Sequence, residues 1–492
     1  MSAYLAVDLG TTGCRSIVFD ESLNVLSASY EEYGLFSLEN GWVEQDARLW
    51  WEMTLRTAKR AIADCGISPQ MIKGISISSQ GITIVPVDDK LEPLSNAINW
   101  LDTRAKEETK LLIKEEGRDN LYLRTGKHID ALYSLPKILW LRNQRRSVFE
   151  RAYKILMPME FLIGKLTGHC VTDHSMASGT LLYDIHSGVW SDALLTKYDI
   201  PREMLPSIRW SGEVVGAVLP GVAAELGLSE DCIVTVGAQD QKCAAFGVGL
   251  KEGVITTSLG TACAVSKLWH TPELERFVKV GWCGYVQKNT WVTEGVINTA
   301  GASLRWLRDL MFRGESYALL DQEAEKAIQD GSTMMFYPYL SDTNTEGVFT
   351  GLKLGSNRGA FAAAVLEGVA FQIRSLLQKM DAYPCSNSLV LFGGGAKSTL
   401  WCQIIADITG LNVKVPRTEE AAGAGAAKLA AMGCGERLPP LEYKSTYFPS
   451  KRQQDYEAKY RLYCDTESRL LTGESYDIDR KRECCIGERN PV

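Results

Sequence analysis

Two carboxylates and two glycine-rich turns hold the residues best suited to chemistry in this sequence. Asp240 lies in Gly237-Ala238-Gln239-Asp240-Gln241-Lys242-Cys243, directly after the strand-like run Ile233-Val234-Thr235-Val236 and before the small-residue helix start Ala244-Ala245-Phe246-Gly247. A carboxylate at the junction of a buried strand and a helix, beside glycine, is firmly positioned and partly desolvated, which suits a general base. The plain alternative is a helix N-cap. Asp8 ends the apolar run Leu5-Ala6-Val7 and opens Leu9-Gly10-Thr11-Thr12-Gly13-Cys14-Arg15. In that turn Gly10 and Gly13 let backbone N–H groups approach an anion, Thr11 and Thr12 add hydroxyl donors, and Arg15 adds charge. At the strand end, Asp8 is placed to hold Mg²⁺ or its waters. An ordinary glycine-turn hairpin is the bland alternative.

The turn has a second copy. Val254-Ile255-Thr256-Thr257-Ser258-Leu259-Gly260-Thr261-Ala262-Cys263-Ala264-Val265 repeats the plan, sharing Leu-Gly-Thr and carrying Ser258 where the first copy has Asp8. Two hairpins of one design, half a chain apart, point to two related domains facing a shared ligand. A polyphosphate gripped between them explains the difference, since one metal needs one carboxylate anchor.

The elements that must position these groups follow an α/β alternation. Tyr4 to Val7 and Ser16 to Phe19 read as strands, and Tyr30 to Gln45 as a turn-rich segment. Asp46 caps a helix over Ala47 to Cys65. Ile72 to Ser78 is a strand ending in Ser78-Ser79-Gln80-Gly81-Ile82-Thr83, polar groups at a parallel-strand end where open α/β sheets bind ligands. Short strands follow at Ile84 to Val87 and Ala97 to Trp100, then helices from Lys106 to Met159, with Trp140 in the core. Thr172 to Ser175 and Tyr183-Asp184 form a polar loop region, with His174 making a local hydrogen bond. In the second half, Ala300-Gly301-Ala302-Ser303 starts a helix that a flat ligand can approach closely, and Phe336 to Leu340 reads as a loop. Leu389 to Phe392 is a buried strand followed by Gly393-Gly394-Gly395-Ala396-Lys397-Ser398, a turn through which backbone and helix N-terminus reach a nucleotide. Its spacing does not match a P-loop. The small-residue helix from Ala421 to Ala427 packs tightly, and beyond Thr472 the chain turns polar.

At 492 residues the chain exceeds the size of a single core, so two domains are expected. Its 45% hydrophobic and 23% charged residues fit a soluble globular protein, and a net charge of −7 argues against a nucleic-acid partner. No apolar stretch approaches membrane-spanning length, and the N-terminus carries no secretory signal. Thirteen scattered cysteines indicate free thiols in a reducing cytoplasm. The Cys484-Cys485 pair lacks partners for zinc.

With Asp8-Leu9-Gly10-Thr11-Thr12, Trp100-Leu101-Asp102-Thr103-Arg104, Gly237-Ala238-Gln239-Asp240, Ser258-Leu259-Gly260-Thr261 and Gly393-Gly394-Gly395-Ala396 in order, the chain resembles the FGGY carbohydrate kinases over residues 4 to 450. The resemblance implies an α/β fold of two ribonuclease-H-like domains of the actin and Hsp70 ATPase type with a cleft between them. Their expected extents are 1–247 and 248–472, with a polar tail at 473–492. It implies ATP and Mg²⁺ as cofactors and a sugar or polyol substrate, xylulose being the first choice and glycerol, ribulose, erythritol, gluconate or a linear signalling sugar the alternatives. Asp240 matches the catalytic base and, with Asp8, the metal site. Thr11, Thr12 and Arg15 match the first phosphate loop and Gly260 and Thr261 the second. Gly301, Arg305, Gly394, Gly395 and Ala396 match the nucleoside side. Gln80, Gly81, Ile82, Trp100, Asp102 and Gln241 join Asp240 in the expected sugar pocket. The sequence departs from the family at Leu132, at Ala360 and at Gly81-Ile82, where xylulokinases carry Met-His and glycerol kinases Arg-Glu. A homodimer is expected. A non-catalytic, nucleotide-gated sugar-binding protein is the reading from another class.

Overall fold

The computed structural model describes residues 2–37, 41–276, 280–341, 345–382, 386–436 and 439–472. The tail expected at 473–492, with Cys484 and Cys485, lies outside them. In the first half the site is carried by β1 (Ala3–Leu9), β2 (Gly13–Asp20), β3 (Val25–Glu32), α1 (Ala47–Asp64), β4 (Ile72–Ser79), β5 (Val214–Ala217), β6 (Ile233–Thr235), β7 (Ala238–Gln239) and α2 (Asp240–Gly247). In the second it is carried by β8 (Val254–Leu259), β9 (Cys263–Trp269), β10 (Gly281–Gly284), β11 (Trp291–Ile297), α3 (Gly301–Met311), α4 (Arg358–Lys379), β12 (Ser388–Phe392), α5 (Thr399–Thr409), β13 (Asn412–Pro416), α6 (Ala421–Gly433) and β14 (Tyr443–Tyr447).

The internal repeat extends to whole sheets. The first runs β3–β2–β1–β4–β6–β5, with β7 also on β4; the second runs β11–β9–β8–β12–β13–β14, with β10 outside β11. In each, the first three strands are antiparallel to their neighbours, the next two are parallel to the third, and the edge strand is antiparallel to the strand before it. The edges differ in chain order, β5 preceding β6 whereas β14 follows β13. The central strands are buried on both faces, as helix-covered parallel strands must be.

Local chemistry explains several elements. The Asp46 carboxylate accepts from Arg48 N–H at 2.9 Å to start α1, and Trp50, Met53, Thr54, Thr57, Ala58 and Ala61 put its buried stripe on the sheet. Among the described residues α4 is the helix long and apolar enough to cross a membrane, but nearly every position is buried in the second core. The turn-rich reading of Tyr30 to Gln45 misses β3 and two short strands, Phe36–Ser37 and Val43–Gln45, the latter paired with Ala97–Ile98. Lys154–Leu156 interrupts the expected helical region as a strand on Val85–Val87. Phe336 and Tyr337, expected in a loop, lie in a strand, Met335–Tyr337, that pairs with Val348–Thr350. Val171–Asp173 is a strand and His174–Ala177 a buried helical turn, with His174 Nδ1 2.8 Å from the Tyr183 hydroxyl. Thr172, Asp173 and Ser175 are buried beside them.

The helices closing the two halves, α2 and α6, cross backbone to backbone. A Cβ on Gly247 would stand 2.0 Å from the Ala421 carbonyl oxygen, and one on Gly425 would stand 2.0 Å from the Cys243 carbonyl oxygen. Only glycine permits this approach from both sides. Beyond the crossing, α6 packs into the first half's core with Tyr4, Ala6, Ile17 and Phe19, while α2 sets Ala244 and Val248 against Val390 of β12. Lys428 of α6 adds a tie, its Nζ donating to the Gly247 carbonyl at 2.7 Å. The start of α2, where Asp240 sits, is therefore fixed by both halves.

Candidate active site

Both glycine turns are tight hairpin mouths. Gly10 N–H donates to the Gly13 carbonyl at 2.9 Å, and Gly260 N–H to the Ala262 carbonyl at 2.9 Å. The first mouth spans four residues between Leu9 and Cys14, the second three between Leu259 and Cys263. Thr12, Thr261 and Ala262 are exposed at the rims. The first mouth is braced from below: Gln45 Nε2 donates to the Thr11 carbonyl at 2.6 Å, and Trp100 Nε1 to Thr11 Oγ1 at 2.9 Å. Arg15 forms an ion pair with Glu420 at the start of α6, its guanidinium 5.2 Å from the Tyr30 ring centre. Both hairpins present backbone N–H groups and threonine hydroxyls, the donor set that suits phosphate.

Parallel pairing aligns Asp8 on β1 with Ser78 on β4, whose hydroxyl donates to the carboxylate at 2.8 Å. Burial raises the Asp8 carboxyl to about 6. Asp240 is the first residue of α2, and Gln239 occupies the cap position, so the N-cap alternative does not describe it. Its Oδ1 accepts from Gln241 N–H at 2.6 Å and from the Gln239 amide nitrogen. Asp240 keeps part of its surface open, yet burial, then the Asp8 carboxylate, pushes it up to about 7. A carboxylate near neutrality with a free oxygen matches the demands on a general base. Among the described residues no cluster of three or more His, Cys, Asp or Glu side chains stands ready for a metal. Asp8 and Asp240 instead form a pair of carboxylates, a donor set for a hard cation that keeps waters and phosphate oxygens.

The residues expected to touch sugar divide into two groups. Gln241 follows Asp240 directly on α2 and, like Trp100, is half-buried, while Gly81 is buried beside a half-buried Ile82. The backbone there is unusual: Thr83 N–H donates to the Gly81 carbonyl at 2.7 Å with Ile82 at φ 71°, a γ-turn around a β-branched residue. Gln80 and Asp102 have other work. Gln80 is 2% exposed, and its amide nitrogen donates to Gln45 Oε1 at 3.0 Å. Asp102 has no exposed surface and accepts from Val43 N–H at 2.5 Å, Arg104 N–H at 2.8 Å, and Arg104 Nε and Nη2 at 2.9 and 2.8 Å. The Arg104 guanidinium lies 4.1 Å from the Trp42 ring centre and 4.8 Å from that of Trp140. The expected hydroxyl contact at Asp102 is therefore corrected to a bracing role, because its acceptor capacity is filled from within. Trp140 is in the core as expected and also flanks this cation.

On the second half, glycines serve packing as well as ligand approach. Gly301 begins α3 directly on the second hairpin, donating to the Gly260 carbonyl at 3.0 Å, and a Cβ there would stand 2.3 Å from that oxygen. Gly395 is pressed on Leu259, a Cβ meeting Cγ at 2.4 Å, whereas Gly394 is exposed with nothing within 4 Å of a Cβ. Gly394 is the position open to an approaching ring, and Ala396 follows half-buried. Arg305 is exposed on the first turns of α3.

Other contributors escaped the sequence reading. Gln45 and Asn99 form the network under the pocket, Asn99 Nδ2 donating to Gln45 Oε1 at 2.8 Å. Lys137, pulled down to about 7 by burial, donates to the Asn99 and Leu132 carbonyls at 2.7 and 2.6 Å. Lys242, on the first turn of α2, reaches Glu294 of β11 at 2.9 Å, while Trp282 N–H of β10 donates to the Gly126 carbonyl at 2.9 Å. Both contacts join the halves, and the Lys242–Glu294 pair does so beside Asp240. Their partners lie far apart in sequence, and no local pattern announces them.

Family models match both halves: that for the N-terminal domain of the FGGY family of carbohydrate kinases over residues 3–247, and that for its C-terminal domain over residues 255–434. The chain is 30% identical over 482 residues to a xylulose kinase of Bacillus subtilis, covering 94% of this chain and 96% of that one. It is 31% identical over 500 residues to glycerol kinase 2 of Thermotoga maritima, covering 96% and 99%. Among solved structures, a xyloylose kinase from Brucella ovis superposes with a TM-score of 0.88 at 29% identity, covering 96% of this chain and 100% of that one.

Proposed function

The chain belongs to the FGGY family of carbohydrate kinases and is an ATP-dependent sugar kinase, and from that premise we propose that it transfers the γ-phosphate to a terminal hydroxyl of a ketopentose, xylulose first. The observation that carries the reading is Asp240: a partly open carboxylate near neutrality, fixed at the junction of both halves, with one oxygen anchored and the other without a described partner.

In this reading Asp240 accepts the proton of the attacking sugar hydroxyl. The two hairpin mouths hold the phosphates through backbone N–H groups, Thr11, Thr12 and Thr261, and the start of α3 with Gly394 borders the nucleoside. Asp8 and Asp240 fit Mg²⁺, because burial, then the Asp8 carboxylate, holds Asp240 well above the usual carboxylate range, and a cation there would relieve that repulsion. When bound, that ion neutralises charge developing on the phosphates. Because phosphoryl transfer demands positioning above all, the double anchoring of α2 has direct catalytic value. Sugar binding closes the halves and excludes water. Ile82 and the ring of Trp100, whose N–H is taken by Thr11, make that side of the pocket apolar, and Gly81 yields its space to the Gln239 stem, so the hydroxyl contacts fall to Asp240 and Gln241. The similarity to glycerol kinase 2 supports a second reading, a smaller triol as acceptor. We take the protein as a cytoplasmic homodimer without nucleic-acid or membrane partners, in keeping with its net charge of −7.

The test is ADP release with Mg²⁺-ATP against xylulose, ribulose, glycerol, erythritol and gluconate, with Asp240→Asn as the blank. We expect one strong acceptor and a turnover loss of about 10²- to 10⁴-fold in the variant. Sugar-dependent turnover unchanged in Asp240→Asn would refute the base, and a strong response to glycerol alone would move the acceptor to the triol.

A further inference from the structure

Gln239 lies in the strand-to-helix junction without any role in the reading above, and its surroundings are specific. On β7 it pairs with Ser79, and its N–H donates to Ser175 Oγ at 2.9 Å, so its backbone is fixed on two sides. Its amide nitrogen donates to Asp240 Oδ1, the same oxygen that accepts from Gln241 N–H at 2.6 Å. Both anchoring bonds thus fall on one carboxylate oxygen. Among the described residues Oδ2 has no donor. The Gln239 amide oxygen is sealed from solvent and also has no partner among the described residues.

Gly81 supplies the room. A Cβ at Gly81 would stand 3.3 Å from Gln239 Cγ and 3.6 Å from Met176 Sδ, tighter than an ordinary contact on the glutamine side. The missing side chain at 81 and the long one at 239 fill one space between them.

We propose that Gln239 is a positioning residue for the base: it holds Oδ1 of Asp240 so that Oδ2 alone faces the sugar hydroxyl, and Gly81 is the seat that lets it do so. The proposal rests on Asp240 being the base. A glutamine in this place orients the carboxylate from the side away from the substrate, as outer-shell partners orient metal ligands and catalytic groups. Side chains at 81 and 239 are then linked, and a change at one is felt through the other.

The experiment is a double-mutant cycle read in kcat and in sugar affinity. Gln239→Met keeps the length of the side chain and removes the donor, and we expect kcat to fall about 10- to 100-fold, the usual effect of losing an orienting partner. Sugar Kd by calorimetry and the KM for ATP stay within about twofold, because binding is not the task of this bond. Gly81→Ala pushes the glutamine stem and is expected to lower kcat about three- to tenfold in the parent, yet to add nothing in the Gln239→Met background. Full kcat in Gln239→Met would overturn the proposal, as would independent, multiplying effects of the two changes. A rise in sugar Kd matching the whole loss would also overturn it, by assigning Gln239 to binding. Asp240→Asn run alongside separates the two levels: if it keeps activity the base reading fails, whereas if it loses activity and Gln239→Met does not, only this proposal fails.

Discussion

Replacing Gly247 by Ala tests the claim that the α2–α6 crossing governs both stability and catalysis. The new methyl would stand 2.0 Å from the Ala421 carbonyl oxygen, 2.8 Å from Gly425 N and 3.1 Å from the Ala421 carbonyl carbon, all backbone atoms. No side chain can turn away, so the helices must part by about 1.5 Å to recover a normal contact distance. Overpacking of this kind costs about 1–3 kcal/mol. At about 2–4 °C per kcal/mol for a domain of this size, scanning calorimetry should show a midpoint about 2–12 °C lower. Because α2 is eight residues long and begins at Asp240, displacement at its far end tilts the base. A misplacement approaching 1 Å costs about 10²-fold in rate, so kcat should fall about 10- to 100-fold while ATP binding persists. Gly221→Ala is the control, since nothing lies within 4 Å of a Cβ there; it should stabilise by about 0.4–1 kcal/mol and leave turnover unchanged. A Gly247→Ala protein with the parent's midpoint would refute the packing argument. A lowered midpoint with full kcat would refute the coupling of the crossing to the base.

Two further outcomes follow from the same region. Lys242→Met leaves Glu294 buried beside Asp240 without its cation, and should cost about 3–5 kcal/mol by urea unfolding, with Lys242→Met/Glu294→Leu recovering most of it; equal stability of the single variant and the parent would show the pair idle. The base must be ionised to act, and burial followed by the Asp8 carboxylate holds Asp240 at about 7, so sugar kcat/KM should rise with pH through that region and level off above it. A flat profile from pH 5 to 8 would remove Asp240 from the rate-limiting proton transfer.

The chemistry-bearing segments were legible because each is local. The Asp8 turn, its copy around Gly260, the cap at Asp46 and the junction at Asp240 combine residue type with immediate neighbours, and the folded chain keeps all four. What stayed hidden depends on distance. Asp102 reads as a polar group beside the pocket, yet Val43, brought in by a three-residue strand, takes one of its oxygens. That strand is too short to show an alternating pattern, and its partner at Ala97–Ile98 is two residues long. The same holds for Lys154–Leu156 and Met335–Tyr337, whose pairing comes from remote partners rather than from local propensity. Gly247 and Gly425 show in the sequence as small residues; their reciprocal contact requires the folded pair.

The two halves are built on one topology, so their differences mark where the chemistry is divided. Asp8 and Ser258 occupy equivalent places at the ends of β1 and β8, each beside an antiparallel hairpin and a parallel neighbour. The half with the carboxylate has the longer mouth and also supplies Asp240 from the helix that follows its sheet. The half with serine has a mouth one residue shorter and sets the start of α3 directly on it through Gly301. A second carboxylate at Ser258 would face the polyphosphate and repel it, whereas a serine leaves that side to donors alone. Under the proposed reading the first half gathers negative charge for a cation and a proton, and the second offers backbone donors and an open glycine to the nucleotide. In the same reading the crossing of α2 and α6 matters as much as either sheet does, because it fixes the helix that begins at Asp240 in relation to both.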